Sequence, residues 1–253
     1  MRFQATRVLV TGGSRGIGAA IVRAFCAEGA RVAVGARSMA SIERFIAAHG
    51  NEGLIPAPGD VGDRDACRQM VHDAIAALGG LDVLVNAAGV YWEAAPEAID
   101  AEHWDRTIAI NLSGPFHCIQ AALPALRESR GNVVSIASDA GLAGMAGAAA
   151  YCAAKGGLVN LTRALALDLV PDVRVNCVCP GNVDTEMLAE AGAASGDPVA
   201  YRAWAERYAP MGRMARPQEI AAAVLYLAGP DAGFVTGAAL AIDGGRTAGP
   251  SRS

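Results

Sequence analysis

The sequence has few charged and few aromatic side chains. Charged residues make up 18% of its 253 residues and aromatic residues 5%, whereas apolar residues make up 53%. The formal net charge is −4 and no cluster of basic residues occurs, which excludes the positive footprint that nucleic-acid binding requires. Because so much of the chain is apolar, it can bury a sizeable core, and general disorder is excluded.

The sequence also lacks long hydrophobic runs, a secretion signal and clustered histidines. Its longest weakly polar stretch, Ser138 to Ala154, is rich in Gly and Ala and includes Asp139, so it is too weakly apolar to cross a bilayer. Residues Met1 to Arg7 do not resemble a signal peptide, and we expect a cytoplasmic protein without a membrane partner. The six cysteines and four histidines show no metal-ligand spacing, so no metal site is expected.

Short apolar runs alternate with helical patterns along the chain. This alternation predicts an α/β fold, a Rossmann-like doubly wound parallel sheet of about seven strands with helices on both faces. We predict a single dinucleotide-binding catalytic domain over residues 1–253. The regular pattern fails between Thr185 and Arg213, and residues 185–213 are interpreted as an inserted lid over the substrate. The predicted strands are Arg7–Thr11, Arg31–Ala36, Gly53–Ala57, Asp82–Asn86, Asn132–Ala137, Val173–Val178 and Ala238–Ile242.

A glycine-rich turn follows the first predicted strand and reads TGGSRGIG over residues 11–18. Glycines let a pyrophosphate approach the backbone, and the free N–H groups of the following helix bind it. Because the turn lies at the first strand of a βαβ pattern, it predicts a dinucleotide site. The residues expected at the phosphates are Gly12, Ser14, Arg15, Gly16, Ile17 and Gly18.

The end of the second predicted strand indicates which dinucleotide is bound. NAD-binding folds place an acidic residue there to hold the ribose 2′-hydroxyl, but this chain has Ala36, followed by Arg37 and Ser38. The Arg37 guanidinium can pair with a 2′-phosphate, and Arg15 can flank the same group. The sequence therefore favours NADP(H) over NAD(H), with Arg37 and Ser38 among the cofactor contacts.

Four polar residues form the candidate catalytic group. Tyr151 and Lys155 lie four residues apart on a predicted helix and share one face. An unperturbed tyrosine has a pKa of about 10, and a neighbouring ammonium lowers that pKa, so the pair predicts a general acid/base. Ser138 follows a strand and can hydrogen-bond the substrate oxygen. Asn111, in a long helical region, can interrupt the helix and hold a water.

These motifs together resemble the short-chain dehydrogenase/reductase family, in its single-domain branch that includes β-ketoacyl-carrier-protein reductases. The resemblance spans Arg7 to Gly245. It includes the TGxxxGxG turn, the NAAG motif at 86–89, the Pro-Gly pair at 180–181, and a tetrad at the family's catalytic positions. The tetrad residues are Asn111, Ser138, Tyr151 and Lys155.

The resemblance implies a ketoreductase or alcohol dehydrogenase that acts on CH–OH groups with NAD(P). Tyr151 would exchange the proton, Lys155 would bind the nicotinamide ribose and lower the tyrosine pKa, and Asn111 would support a proton relay. A homodimer or homotetramer is implied, paired through two long helices and the C-terminal strand region. The implied cofactor contacts are Asp60 and Val61 at adenine, Asn86, Ala87, Ala88 and Gly89 at the adenosine and ribose, and Pro180, Gly181, Val183 and Thr185 at the nicotinamide.

The substrate is expected to be a moderately apolar ketone or secondary alcohol. The residues that favour it are Met187, Leu188, Trp204 and Tyr208 in the predicted lid, with Tyr91 and Trp92 before it. A β-ketoacyl-carrier-protein reductase is an alternative. Arg127 and Arg130 are the candidate contacts to its acidic carrier, although both are better interpreted as ordinary surface charges. A cofactor-binding regulator or scaffold without turnover is an alternative of another class, against which the intact tetrad argues.

Overall fold

A computed structural model describes residues 1–50 and 53–249, and in these residues seven parallel strands form one sheet. The strands are β1 (Arg7–Thr11), β2 (Arg31–Ala36), β3 (Leu54–Pro58), β4 (Val83–Asn86), β5 (Asn132–Ile136), β6 (Arg174–Pro180) and β7 (Ala239–Ile242). Their order is β3-β2-β1-β4-β5-β6-β7, which confirms the predicted doubly wound α/β fold. The order reverses between β1 and β4, and ligands bind outside the carboxyl ends of strands at such a reversal.

Helices cover both faces of this sheet. They are α1 (Gly16–Ala27), α2 (Met39–His49), α3 (Arg64–Leu78), α4 (Ala101–Ile108), α5 (Gly114–Ser129), α6 (Ala149–Leu169), α7 (Glu186–Ala194), α8 (Pro198–Arg207) and α9 (Pro217–Ala228). Helices α1 and α9 pack together on one face, and α3 packs on α5 on the other.

The central strand β1 shows why the sequences of the strands are continuously apolar. Val8 and Val10 belong to the apolar core beneath α1 and α9, whereas Leu9 belongs to the core beneath α3 and α5. All three side chains are fully buried. Because both faces of the strand are covered, every second position is as apolar as its neighbours, as parallel sheets require.

The predicted absence of regular structure in residues 185–213 is wrong. This segment contains helices α7 and α8, which are separated by Ser195 to Asp197. Asp197 caps the amino end of α8 by accepting a hydrogen bond from the Ala200 N–H, and Pro198 occupies the first turn of this helix. The small and polar residues at this point are therefore a helix-capping signal and not the sign of a long loop. Both ends of the segment are held together, because Val183 pairs with Ala215 as an isolated parallel bridge.

The long predicted helix over residues 101–128 is two helices joined by a wide turn. Helices α4 and α5 are continuous with a π-helical turn at Ala109–Ser113, and Asn111 lies at its centre. Pro115 is in the first turn of α5, and Pro124 lies inside that helix without ending it. The interruption expected at Asn111 is therefore present, and such π turns are frequent at functional sites.

Residues 1–50 and 53–249 contain neither a candidate membrane span nor a candidate metal cluster. No helix there is long and apolar enough to span a membrane. No three His, Cys, Asp or Glu side chains in that part of the chain converge in a way that could hold a metal ion.

We expect Gly18→Ala to destabilise the protein by about 2 kcal/mol or more, because the added methyl group would meet backbone atoms that cannot move aside without distorting the turn. A Cβ atom on Gly18 would overlap the carbonyl oxygen of Gly12 in the phosphate turn. Gly144→Ala is the matched control, since its Cβ would meet no atom within 4 Å. Urea unfolding of both variants tests this, and equal stabilities would contradict the close approach at Gly18.

Candidate active site

The glycine turn packs directly on the segment that follows β4. Thr11 and Asn86 are register partners at the ends of β1 and β4. The Thr11 Oγ1 atom accepts hydrogen bonds from the N–H groups of Ala87 at 3.2 Å and Ala88 at 3.3 Å. A Cβ atom on Gly12 would lie only 2.7 Å from the Ala88 Cα atom. The two segments form one cradle, and Thr11 has a part in it that the sequence did not indicate.

A cleft runs along this cradle at the carboxyl edge of the sheet. Most of the predicted phosphate, adenosine and adenine contacts line it together. Ser41 and Arg44 also line it, although the sequence did not single them out. They follow Ser38, whose side chain caps α2 by accepting a hydrogen bond from the Ser41 N–H. The predicted contacts in this cleft are Gly12, Ser14, Arg15, Gly16, Ile17, Gly18, Arg37, Ser38, Asp60, Val61, Ala87, Ala88, Gly89 and Thr185.

Two charged side chains of the cleft already have protein partners. The Arg15 Nη1 atom lies 2.6 Å from the Glu190 carboxylate in α7, and both groups are exposed. An exposed ion pair contributes about 1 kcal/mol or less to stability. Arg15 can therefore exchange Glu190 for another anion. The Asp60 carboxylate accepts hydrogen bonds from Arg106 at 2.7 Å and from the Gly62 N–H. Burial raises the pKa of Asp60, but Arg106 and Gly62 outweigh burial and the pKa lies below its usual value.

Asn111 connects the π turn to the loop after β4. Its side-chain amide donates to the carbonyl oxygens of Val90 at 3.0 Å and Thr107 at 3.1 Å, and it accepts from the Val90 N–H at 3.2 Å. A Cβ atom on Gly89 would stand 3.0 Å from the Asn111 Oδ1 atom and 3.8 Å from the Lys155 Nζ atom. Gly89 therefore keeps open the space that separates Asn111 from Lys155.

Tyr151 and Lys155 lie on α6 with their reactive groups in one cavity. The Lys155 ammonium donates to the Ile136 carbonyl oxygen at 2.8 Å and lies 5.7 Å from the centre of the Tyr151 ring. Burial lowers the pKa of Lys155 to about 8. Burial also raises the pKa of Tyr151, which the neighbouring Ser138 hydroxyl opposes. In the chain alone the Tyr151 pKa is therefore raised, and the lowering that we expected from Lys155 does not occur, because Ser138 is the group that opposes burial.

Ser138 lies at the carboxyl end of β5, where a short turn begins. Its hydroxyl lies 3.0 Å from the Asp139 Oδ1 atom and accepts a hydrogen bond from the Ala140 N–H at 3.1 Å. Asp139 is 3% exposed, and burial raises the pKa of its carboxyl group. The sequence did not single out Asp139 as a site residue, because an acidic residue next to a strand end is usually a solvated one.

The cavity around Tyr151 is open to solvent, and it spans about 790 Å³ when the open space at its mouth is included. Its outer wall is apolar and aromatic, and Tyr91 packs edge-on against Tyr151 with ring centres 5.0 Å apart. Two further wall residues, Met145 and Tyr201, were missed in the sequence. The wall residues are Tyr91, Met145, Met187, Leu188 and Tyr201, and Pro180, Gly181, Val183 and Thr185 form the side towards β6.

Three aromatic residues expected at the substrate, Trp92, Trp204 and Tyr208, do not line this cavity. Trp204 lies between Tyr201 and Tyr208, with ring centres 5.1 and 5.4 Å away, so it packs α8 internally. Trp92 packs edge-on against His103, with 5.0 Å between the ring centres.

One predicted cofactor contact does not line the cleft. Asn86 is buried beside Ser135, behind the cleft.

Arg127 and Arg130 do not lie at the mouth of the site. Helix α5 ends at Ser129, directly before Asn132 begins β5. Both arginines therefore lie at the amino edge of the parallel sheet, whereas the cleft is at the carboxyl edge. Both arginines are exposed, which agrees with their interpretation as surface charges and not with contacts to an acidic carrier at the site.

We expect Lys155→Met to change how stability depends on pH. The wild-type lysine has a pKa of about 8 when folded and 10.5 when unfolded, so the unfolded chain binds more protons between these values. Wild-type stability should therefore rise with pH across that window, by about 3 kcal/mol more than in the variant. Urea unfolding from pH 7 to pH 10.5 measures the difference, and parallel curves for the two proteins would contradict a buried, depressed Lys155.

Comparison with known proteins places this geometry in a family. A family model described as "Enoyl-(Acyl carrier protein) reductase" matches residues 12–247. The meso-2,3-butanediol dehydrogenase of Serratia marcescens is 39% identical over 249 residues, which cover 98% of this chain and 97% of the relative. The L-fucose dehydrogenase of Mus musculus is 40% identical over 256 residues, covering 99% and 92%. The 3-oxoacyl-(acyl-carrier-protein) reductase of Thermotoga maritima is 34% identical over 249 residues, covering 97% and 99%.

A solved structure is similar over the same length. It is the crystal structure of a short-chain dehydrogenase/reductase from Brucella melitensis, described as a glucose/ribitol dehydrogenase, with a TM-score of 0.89 and 34% identity over 97% of this chain and 98% of that one. These relatives are named as enzymes acting on alcohol or carbonyl groups, and the family binds a nicotinamide cofactor. The chain therefore belongs to the short-chain dehydrogenase/reductase family and is an oxidoreductase acting on CH–OH groups.

Proposed function

We propose that this oxidoreductase uses NADP(H) to interconvert a ketone or aldehyde and an alcohol, with Tyr151 as general acid/base. The observation that carries the proposal is the meeting of Ser138, Tyr151 and Lys155 in one cavity beside a cleft lined by arginines. The cavity and the cleft share the wall residues Ile17, Ala87, Gly89, Val90, Thr185 and Met187. A dinucleotide in the cleft would thus reach the catalytic residues.

The phosphate end of the cleft suits a dinucleotide because backbone lies at its surface. The Gly12 position has no room for a side chain, and α1 begins at Gly16, so free N–H groups face the cradle. Arg37 after β2 and Arg44 of α2 line the cleft, and the residue at the end of β2 is Ala36 instead of a carboxylate. Two guanidinium groups there suit a 2′-phosphate better than a neutral ribose hydroxyl.

The catalytic roles follow from the cavity's polar groups. The hydride would be supplied or accepted by a nicotinamide held beside Lys155. The Tyr151 hydroxyl gives its proton to the carbonyl oxygen during reduction and takes it back during oxidation. Lys155 stabilises the phenolate and holds the nicotinamide ribose, and Ser138 hydrogen-bonds the reacting oxygen. Asn111 supports the route by which the proton is replenished.

The cavity wall supports a moderately apolar ketone or secondary alcohol as substrate. Its outer residues are thioether, aliphatic and phenolic, and no arginine or lysine other than Lys155 lines it among the described residues. Residues 185–213 act as the lid, and 1–253 act as one catalytic domain. Tyr201 of α8 donates to Glu93 at 2.9 Å, which attaches the lid to the loop after β4.

A β-ketoacyl-carrier-protein reductase is the second candidate, favoured by the reductase relative from Thermotoga maritima. The description of the family model names an enoyl reductase and favours only the carrier-bound kind of substrate. A panel of free ketones, secondary alcohols and a carrier-bound β-ketoacyl group separates the two. Nicotinamide absorbance with each cofactor is the readout. Turnover of the carrier-bound substrate alone would replace the first candidate by the second.

We also propose a homodimer or homotetramer that pairs through α5, α6 and the β7 edge. Exposed apolar side chains occur on each of these elements, which are Phe116 on α5, Leu167 on α6 and Phe234 before β7. Phe234 is fully exposed, and β7 ends the sheet. Apolar groups that are exposed in one chain suit burial against another copy.

Arg37→Asp should lower the preference for NADPH over NADH, measured as the ratio of kcat/KM values, by about tenfold or more. The new carboxylate repels a 2′-phosphate and can accept a hydrogen bond from the 2′-hydroxyl. Arg130→Asp makes the same charge change at the opposite edge of the sheet and should leave the ratio unchanged. An unchanged ratio in Arg37→Asp would refute the assignment of the 2′-phosphate site.

Tyr151→Phe should lower kcat by about 10²- to 10⁴-fold, because it removes the proton donor and keeps the ring. The ring still packs against Tyr91, so the cofactor Kd should change by less than about threefold, within the effect of losing one weak contact. Stopped-flow turnover and fluorescence titration with NADPH give the two values. Retained turnover would show that another group supplies the proton.

A further inference from the structure

Glu93 holds two of the phenols that form the outer wall of the cavity. The Tyr91 hydroxyl lies 2.5 Å and the Tyr201 hydroxyl 2.9 Å from the same Glu93 Oε1 atom. Both tyrosines line the cavity around Tyr151, whereas Glu93 lines the groove next to it. This contact of one carboxylate oxygen with two phenols is called the clasp below. It has no part in the proposed reaction, so its contribution is to the position of the wall.

Both phenols of the clasp act as hydrogen-bond donors. An ionised carboxylate can only accept hydrogen bonds, so each hydrogen comes from a tyrosine. Burial, and after it the Glu93 carboxylate, raise the pKa of Tyr91 and of Tyr201 above the usual value of a phenol. Both hydroxyls therefore keep their hydrogens at neutral and moderately alkaline pH. Hydrogen bonds to a charged acceptor are stronger than those between neutral groups.

One end of the clasp belongs to the body of the domain. The residue after Glu93 is Ala94, whose N–H donates to the Gly147 carbonyl oxygen at 2.9 Å, directly before α6. In the same loop, Tyr91 packs edge-on against Tyr151 of α6. The loop that carries Glu93 is thus fixed to the helix that carries the proposed general acid/base.

The other end of the clasp belongs to the lid. Tyr201 lies in α8, and its ring packs on Gly192 of α7, where a Cβ atom would stand only 3.3 Å from the Tyr201 Cδ1 atom. Helix α7 also supplies Met187 and Leu188 to the cavity wall. A hydrogen bond from Tyr201 to Glu93 therefore holds both lid helices, and with them the apolar wall, against the body.

We propose that Glu93 is a positioning residue that determines substrate size, because it joins Tyr91 of the body to Tyr201 of the lid. The proposal deepens the proposed function and rests on it, since it concerns the ketone or alcohol bound in the same cavity. When the clasp is closed, the outer wall stays close to the reacting groups and contacts a compact substrate. When the clasp is broken, the lid can move outward and a bulkier ketone fits. The clasp therefore selects compact ketones and secondary alcohols.

Glu93→Ala should reduce the preference for a compact over a bulky ketone. The ratio of kcat/KM for cyclohexanone to kcat/KM for 4-tert-butylcyclohexanone, measured with NADPH, should fall about five- to tenfold, the effect of about one hydrogen bond. The change should appear in KM and not in kcat, because the groups around Tyr151 are unaltered. Glu93→Gln keeps an oxygen that accepts from both phenols, so its ratio should stay within about twofold of wild type. Glu97→Ala removes an exposed carboxylate of the same loop and should leave the ratio unchanged.

A double-substitution cycle tests whether Tyr201 acts through Glu93. Tyr201→Phe keeps the ring and its packing on Gly192, and it should lower the ratio in the same direction as Glu93→Ala. In the Glu93→Ala background, adding Tyr201→Phe should not lower the ratio further. Additive losses would overturn the proposal, as would an unchanged ratio in Glu93→Ala.

Trypsin cleavage in α8 gives a readout that needs no turnover. This helix contains Arg202 and Arg207, both exposed, and cleavage after them follows the population of the open lid. Mass spectrometry should find this cleavage about five times faster in Glu93→Ala than in wild type, and as slow as wild type in Glu97→Ala. Thermal unfolding of each variant separates lid opening from loss of global stability.

The two readouts distinguish the failure of the clasp from the failure of the proposed function. If the wild type turns over neither ketone, the proposed function fails for this substrate class, and the cleavage rates still decide whether Glu93 holds the lid. Equal cleavage rates in wild type, Glu93→Ala and Tyr201→Phe would refute the clasp.

Discussion

The contact of the glycine turn with the segment after β4 determines where every other part of the site lies. Gly12 approaches Ala88 so closely that a Cβ atom at Gly12 would lie 2.7 Å from the Ala88 Cα atom. This contact occurs at the reversal of strand order, where β1 has β2 on one side and β4 on the other. Parallel strands bring their carboxyl ends to the same edge, so Ser138 after β5 and Pro180 at the end of β6 come to the cavity without long loops.

The balance between burial and charge decides the chemistry inside that edge. Lys155 is buried and donates to a backbone carbonyl, and burial brings its pKa to about 8. Tyr151 experiences the same desolvation, which raises its pKa. In the chain alone, Tyr151 is therefore not held as a phenolate beside the Lys155 ammonium. A low-dielectric pocket makes any added positive charge more effective, which suits a site where the charge of the cofactor changes during the reaction.

Much of this site could be predicted from the sequence because it depends on local spacing. The glycine turn, the Tyr151 and Lys155 pair and the absence of a carboxylate at Ala36 are each visible within a few residues. The strand positions were predictable because buried strands are apolar throughout. Helices α7 and α8 were missed because they are short and rich in Ala, with little difference in hydrophobicity between their faces. Arg44 and Tyr201 were missed because only the folded chain brings them to the cleft and the cavity.

Asp139 shows most clearly what spacing cannot give. Its position beside Ser138 is visible in the sequence, but its burial at the cavity wall and the Ala140 N–H that donates to it exist only in the folded chain. Burial raises the pKa of this carboxyl group, and no spacing of residues along a strand end predicts whether such a group is solvated or buried.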